Sequence, residues 1–240
     1  MPIIDANGKL FSPLFIVMKE VTGDTFGPQV QRDLFTAPNT LVTASSSGKM
    51  KKEHLKVWLE EVFFPHVGDR TVLVIDSWST YKNTALLDAA TPEGRHVQIV
   101  TVPPKTTPLC QPLDVFGFRM WKTFVRKIWD WVVRDDIQCE LHLRNAALKL
   151  QSLVHNQFSS PRFREMWKVG WTHPGYFEND EHVEFKTPSQ FCFESDAAKE
   201  NHRCSVAPCE KTHFLTCAWC KATLCFEHFF QYNHFCEVIN

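Results

Sequence analysis

The stretch between residues 71 and 114 constrains the fold more than any other part of the chain. It begins with an apolar run at 72–75 that ends at Asp76, and it closes with a proline- and threonine-rich segment that ends at Asp114. Mg²⁺ and Mn²⁺ are held by oxygen ligands, commonly carboxylates that separate elements bring together. Asp76 and Asp114 are therefore candidate ligands of a divalent ion, and a helix N-cap is the simpler alternative for Asp114.

The same stretch predicts a strand, a helix and a second strand. Residues 71–75 show no alternation of polar and apolar side chains, which favours a central strand buried on both faces. Residues 97–102 are rich in β-branched side chains and predict another strand, with a short helix at 83–90 between the two. This order is typical of a parallel pair with a right-handed crossover, so the sequence predicts an α/β fold.

Helices are predicted on both sides of this unit, at 49–67, 114–133, 137–157 and 161–169, and a strand is predicted at 10–18 after a turn at 5–8. The first helix has an apolar face with three- and four-residue spacing, made of Leu55, Trp58, Leu59, Val62 and Phe63. The helix at 114–133 has an apolar face made of Phe118, Trp121, Val125, Ile128 and Val132.

Three basic residues of the helix at 114–133 lie together, away from its apolar face: Arg119, Lys122 and Arg126. The net charge of the whole chain is −1, so composition alone carries no nucleic-acid signature. The local cluster makes these three side chains candidate contacts to the phosphates of a nucleic acid. A solvated helix face of mixed charge is the alternative.

Length and composition allow one sizeable core and a small satellite, because the chain has 240 residues of which 44% are hydrophobic. We predict a first domain at 1–175, a linker at 176–203 and a cysteine- and histidine-rich module at 204–240. No apolar stretch is as long as a membrane span, so no membrane partner is expected.

Two motifs resemble those of the DDE transposases of the pogo, Tigger and jerky type. Residues 74–79 read Val-Ile-Asp-Ser-Trp-Ser, and residues 102–114 run from Val-Pro-Pro-Lys to Gln-Pro-Leu-Asp, with Lys122 following. The resemblance covers about residues 1–170. It implies an RNase H-like fold, a mixed sheet flanked by helices, with Asp76 and Asp114 as the second and third acids of a two-ion Mg²⁺ or Mn²⁺ site. It also implies DNA as partner and the nucleus as location.

The sequence departs from this family at two places. The family's first acid has no counterpart here, because Asp5 lies in a turn and Asp24 and Asp33 lie in an irregular segment. Tyr81 stands near the position where the family commonly has a histidine. We therefore expect a chain that is N-terminally incomplete or one that has lost its chemistry.

The C-terminal module carries cysteine and histidine pairs at metal-ligand spacing. Nine cysteines, most of them after residue 200, indicate metal binding in a reducing compartment rather than disulfides. The spacing suits two tetrahedral Zn²⁺ ions, whose candidate ligands are Cys204, Cys209, Cys217, Cys220, Cys225, His228, His234 and Cys236.

The order of these pairs resembles the cross-brace zinc modules of the RING and PHD type and the cysteine-rich C-terminal domain of piggyBac-type transposases. The resemblance implies two interleaved sets of ligands. Cys204, Cys209, Cys225 and His228 would hold one ion, and Cys217, Cys220, His234 and Cys236 would hold the other. His202 and His213 are alternates. The module's own partner stays open between DNA ends, another protein and a second copy of the chain.

Three functions compete at this point. The first is a transposase-derived DDE endonuclease domain that binds nucleic acid, dependent on Mg²⁺ or Mn²⁺ if its acids are complete. The second is a domesticated, catalytically inactive nuclear factor that binds DNA or protein and keeps the zinc module. The third, a zinc-dependent ubiquitin ligase, rests on the tail alone.

Overall fold

The computed structural model describes residues 1–21, 23–78, 84–178, 184–193 and 203–236. The chain forms two compact units: Met1–Ile4 with Phe11–Val115, and Asp5–Leu10 with Phe116–Asn240. This division falls inside the predicted first domain, and the boundaries at 175 and 203 stay predictions.

The first unit is built from short strands and helices. In chain order they are β1 (Leu14–Lys19), α1 (Pro28–Asp33), β2 (Thr40–Ser45), α2 (Lys52–Trp58), β3 (Arg70–Ile75), α3 (Thr84–Ala90), β4 (His96–Thr101) and α4 (Thr107–Cys110). The helix predicted at 49–67 is α2 continued by a π-helical turn, Leu59–Phe63, and a 3₁₀ turn, Phe64–His66. The predicted turn at 5–8, which belongs to the second unit, is present, since the N–H of Gly8 donates to the carbonyl of Asp5. The following strand starts at Leu14, later than predicted.

The strands pair in twos. β1 and β2 are parallel, with Leu14 opposite Thr40, and β3 and β4 are parallel, with Ile75 opposite Thr101. The predicted parallel strand–helix–strand unit is thus confirmed. Among the described residues, the strands form separate two-stranded sheets rather than the one mixed sheet that was predicted.

The core of the first unit lies under α2 and its continuation. Leu55, Trp58, Leu59, Val62 and Phe63 are all buried, as their spacing predicts. They pack with Phe15 of β1, Leu73 and Ile75 of β3, and Leu87 of α3. The apolar face of α2 and its continuation therefore packs against both parallel strand pairs in a single core.

The prediction that β3 is buried on both faces is wrong. Leu73 and Ile75 are buried, but Val72 exposes 56% of its surface and Val100 of β4 exposes 36%. Successive side chains of a strand point to opposite faces, so only the face that carries Leu73 and Ile75 meets the core. The strand pair β3–β4, although rich in β-branched residues, is therefore buried on one face and exposed on the other.

The second unit begins with a long helix. A π-helical turn, Leu113–Gly117, leads into α5 (Phe118–Arg134), whose buried stripe is Phe124, Ile128 and Val132. Phe124 is missing from the predicted apolar face, while Trp121 and Val125 of that face are half-buried.

The second predicted helix starts seven residues late, at Arg144, because α5 ends in a left-handed residue. Asp136 has φ 45°, and Ile137 donates its N–H to Val132 at 3.0 Å, the pattern of a Schellman cap. Nine residues, 135–143, separate α5 from α6 (Arg144–Phe158). The third predicted helix is a 3₁₀ turn, Pro161–Phe163, followed by α7 (Arg164–Thr172).

The predicted linker contains structure. Helix α8 (Pro188–Phe193) lies within it, with Cys192 buried. The ring of Phe193 lies 4.8 Å from that of Phe124 and 5.5 Å from that of Phe214. Phe193 of the predicted linker therefore packs against α5 and the C-terminal module.

The C-terminal module is a small β-hairpin followed by a helical turn. Strands β5 (Leu215–Thr216) and β6 (Thr223–Leu224) are antiparallel, and a π-helical turn covers Glu227–Gln231. Phe214, Phe226 and Phe229 form its aromatic centre. In the described part of the chain, no helix has both the length and the apolar character needed to cross a membrane.

Candidate metal centres

Two groups of four ligand side chains converge in the C-terminal module. Centre A consists of Cys204, Cys209, Cys225 and His228, and centre B of Cys217, Cys220, His234 and Cys236. Within each group the ligand atoms all lie within 4.8 Å of one another. These are the same two interleaved sets that the resemblance implied, so the pairs alternate between the centres along the chain.

Three pairs of ligand atoms in centre A lie close to the separations that a tetrahedral ion imposes. His228 Nδ1 lies 3.3 Å from Cys204 Sγ and 3.2 Å from Cys225 Sγ, and the sulfurs of Cys209 and Cys225 are 3.9 Å apart. Metal distances of about 2.3 Å to sulfur and 2.1 Å to nitrogen give tetrahedral edges of about 3.8 Å between two sulfurs and about 3.6 Å between a sulfur and a nitrogen. Centre A therefore fits Zn²⁺.

Centre B passes the same test. The sulfurs of Cys217 and Cys236 are 3.8 Å apart, and His234 Nε2 lies 3.5 Å from Cys220 Sγ and 3.1 Å from Cys236 Sγ. Three sulfurs and one imidazole nitrogen are also a donor set that favours zinc over magnesium or calcium. His213 belongs to neither group, its Nε2 lying 3.3 Å from Thr216 Oγ1, and His202 lies outside the described residues.

A tight chain reversal brings Cys217 and Cys220 together. The N–H of Cys217 donates to the carbonyl of Ala222 at 2.9 Å, and the N–H of Lys221 donates to the carbonyl of Cys217 at 3.0 Å. Lys221 adopts φ 62°, the left-handed conformation that closes the reversal. The two-residue gap between the cysteines thus places both sulfurs on one side of the turn.

Two of the ligand thiols, those of Cys225 and Cys236, hold their protons more tightly than an ordinary cysteine, because their pKa values are raised. Burial raises the pKa of the Cys225 thiol to about 11, and burial together with the neighbouring Cys217 raises the pKa of Cys236 further above its ordinary value. Zinc binds the thiolate, so loading either centre displaces protons. Burial also raises the pKa of Cys192, which belongs to neither centre.

Two residues around centre B were missed by the sequence analysis. Asn156 and Gln157 at the end of α6 are buried, and the Gln157 amide nitrogen lies 3.6 Å from Cys217 Sγ. The sequence does contain a pattern that indicates burial of Gln157. This residue continues the apolar spacing of Leu150, Leu153 and Val154, so a polar amide occupies a core position.

The predicted acid Asp76 follows β3 directly. It is half-buried, and its Oδ1 accepts the backbone N–H of Trp78 at 3.0 Å. Val102 donates its N–H to Ile75 at 2.8 Å, so the segment after β4 leaves the sheet at the same end as Asp76. This end of a parallel pair is where ligand sites of α/β folds form. Tyr81 lies outside the described residues.

The predicted acid Asp114 is the second residue of the π-helical turn before α5. Its backbone N–H donates to the carbonyl of Gln111 at 3.0 Å. In the described ranges, groups of three or more ligand side chains occur only at centres A and B, and neither acid belongs to one. Two carboxylates do not suffice for a two-ion Mg²⁺ or Mn²⁺ site.

The predicted phosphate contacts form an exposed stripe on α5. Arg119, Lys122 and Arg126 are all exposed, and their spacing of three and four residues places them on one face of the helix. The guanidinium of Arg119 lies 5.5 Å from the ring centre of Phe116. The stripe presents three positive charges to solvent.

Comparison with known families covers most of the chain. The family described as DDE superfamily endonuclease matches residues 13–164, and the Tc5 transposase C-terminal domain matches residues 171–236. The first match includes Asp76, Asp114 and the α5 stripe, and the second includes all eight ligands of centres A and B. No curated protein and no solved structure matches the chain.

Proposed function

Because this chain belongs to the DDE superfamily endonuclease family and carries a Tc5-type transposase C-terminal region, we propose that it is a DNA-binding transposase domain with two structural zinc ions. The observation that carries this proposal is the family match over residues 13–164, which spans both candidate acids and the basic stripe. The family implies an RNase H-like arrangement, and the parallel β3–α3–β4 unit is consistent with it.

The DNA contact proposed here uses the α5 stripe. Arg119, Lys122 and Arg126 are exposed on one helix face, and long basic side chains of this kind reach phosphate oxygens. Phosphate contacts supply affinity without reading sequence, so the stripe would bind duplex DNA of any sequence.

Zinc is proposed to hold the C-terminal module together. Centres A and B each offer three sulfurs and one imidazole nitrogen that lie within 4.8 Å of one another. The module is a hairpin of two-residue strands, so its regular backbone structure is small and the metal adds the missing stability. A module held in this way presents a surface for DNA ends, a protein partner or a second copy of the chain.

Binding of labelled duplex DNA to the full, zinc-loaded chain tests the proposal. Fluorescence anisotropy at low salt should show binding that weakens steeply as salt rises, because displaced counterions dominate the affinity. A chain that does not bind duplex DNA at about 50 mM salt would contradict the DNA-binding function. The same chain fused to a fluorescent protein should accumulate in the nucleus, where its substrate lies.

A second function, that of a domesticated and catalytically inactive factor, is favoured by a different observation. In the described residues neither Asp76 nor Asp114 belongs to a group of three or more side chains that could hold a metal ion. Incubation of plasmid DNA with the chain and Mn²⁺ separates the two functions. Cleavage that disappears in both Asp76→Ala and Asp114→Ala supports the endonuclease, whereas DNA binding without cleavage supports the inactive factor.

A further inference from the structure

The last turn of α6 carries two buried amides, Asn156 and Gln157, of which Gln157 has no exposed surface and Asn156 exposes 3%. Burying an amide costs free energy unless its polar atoms find partners. Gln157 Oε1 accepts the N–H of Ala218 at 2.7 Å, and Gln157 Nε2 lies 3.6 Å from Cys217 Sγ. The side chain of Gln157 therefore spans a metal ligand and the residue after it.

Asn156 extends the same contact to the other half of centre B. Its Nδ2 donates to the carbonyl of Cys236 at 2.7 Å, and its own carbonyl accepts the indole N–H of Trp219 at 2.6 Å. Ser160, just beyond α6, donates to the carbonyl of Ala218 at 3.0 Å. The end of α6 thus binds both chain segments that supply the ligands of centre B.

Centre A is held differently. Cys204 donates its N–H to Lys211 at 2.9 Å, and His228 donates its N–H to Cys225 Sγ at 3.4 Å. Ser205 donates its N–H to Thr223 at 2.8 Å. These bonds join residues of the module to each other, so centre A forms within the module while centre B is attached to α6.

We propose that Gln157 is a positioning residue of centre B, whose amide N–H donates to the Cys217 thiolate and fixes it for zinc. The inference rests on the zinc binding in the proposed function. An N–H donor spreads the negative charge of a buried thiolate and holds its orientation, and partners of this kind change metal affinity by about 10- to 100-fold. Metal retention at centre B therefore depends on contacts with α6, whereas metal retention at centre A depends on contacts within the module.

Site-resolved zinc release from the full chain tests this role. Zinc-loaded protein is mixed with a chelator and an alkylating reagent, and mass spectrometry reports which cysteines become labelled over time. In Gln157→Leu we expect Cys217, Cys220 and Cys236 to be labelled about 10-fold faster, with Cys204, Cys209 and Cys225 unchanged within about twofold. The matched control Gln151→Leu removes an amide of the same helix that bonds Trp121 at 2.9 Å, and it should leave both rates unchanged.

Gln157→Glu covers the case in which the leucine variant does not fold. It keeps the size and the acceptor for Ala218 but turns a carboxylate oxygen toward the thiolate, so centre B should again lose zinc selectively. Equal acceleration at both centres, or none, overturns the positioning role. A wild-type chain that contains no zinc overturns the zinc binding itself, and a chain with two zinc ions but unselective release overturns the role of Gln157 alone.

Discussion

The indole ring of Trp131 and the phenyl ring of Phe214 lie edge to face, with their centres 5.0 Å apart. Trp131 belongs to α5 and Phe214 directly precedes β5 of the C-terminal module. Phe214 is also 5.5 Å from Phe193 of α8 and 5.8 Å from Phe229. One aromatic cluster therefore joins α5, α8 and the module, so packing stabilises the module in addition to the proposed zinc ions.

Truncation of Phe214 should destabilise the zinc-loaded chain. Phe214 exposes 2% of its surface, and removing a buried phenylalanine leaves a cavity that costs about 3–5 kcal/mol. Denaturant unfolding followed by circular dichroism measures the loss. Phe177→Ala, at a side chain that is 50% exposed, is the control and should cost about 1 kcal/mol or less. Similar losses in both variants would show that the cluster contributes little.

Removing a single ligand should empty one centre and spare the other. Cys220 is exposed, so Cys220→Ser removes a thiolate of centre B without disturbing the core. Native mass spectrometry should find one zinc ion, compared with the two expected in the unaltered chain. Cys110→Ser, at a cysteine of neither centre, should retain both. Two ions retained in Cys220→Ser would contradict the assignment of centre B.

Sequence periodicity and ligand spacing predicted the parts of the structure that depend on near neighbours. The buried face of α2 follows from the spacing of Leu55, Trp58 and Val62, because residues three and four apart share a helix face. The two-residue gap between Cys217 and Cys220 likewise fixes a local turn. The interleaving of the two centres could not come from spacing, and only the family resemblance implied it.

The features that the sequence analysis missed depend on distant contacts. Val72 is as apolar as a core residue, yet it is exposed because nothing in the described residues covers that face of β3. Gln157 is polar, yet it is buried because the Cys217 turn, far along the chain, supplies its partners. Residue type alone does not distinguish these cases, since burial is decided by what packs there.

At the end of α5, glycine substitutions at two neighbouring residues should change the stability of the chain in opposite directions. Asp136 adopts φ 45°, a conformation that glycine tolerates best, so Asp136→Gly should stabilise the chain by about 0.5–1 kcal/mol. Asp135 has φ −94° and pairs with Arg134 at 2.8 Å, so Asp135→Gly should destabilise it by a similar amount. Thermal unfolding of both variants measures the two effects. If the unfolding temperature changes in the same direction in both variants, the Schellman cap is refuted.

His54 connects the start of α2 to strand β2. Its Nδ1 accepts the N–H of Lys51 at 3.0 Å, which leaves Nε2 protonated to donate to the carbonyl of Ala44 at 3.0 Å. Both His54 and Ala44 are buried, so His54→Leu orphans a carbonyl and should cost about 1–3 kcal/mol in urea unfolding. His96→Gln, at an exposed histidine, should change stability by less than about 0.5 kcal/mol. A harmless His54→Leu would mean that water replaces both bonds.

The α5 stripe makes a quantitative prediction about salt. Each phosphate contact contributes about 0.9 to the slope of log affinity against log salt, so neutralising three contacts should lower the slope by about 2–3. The variant is the triple substitution Arg119→Gln, Lys122→Gln and Arg126→Gln, measured by anisotropy on one duplex between about 50 and 200 mM salt. Lys56→Gln removes one exposed charge of α2 that pairs with Glu60, and it should leave the slope unchanged. If the triple variant keeps the slope of the unaltered chain, the phosphates bind another surface.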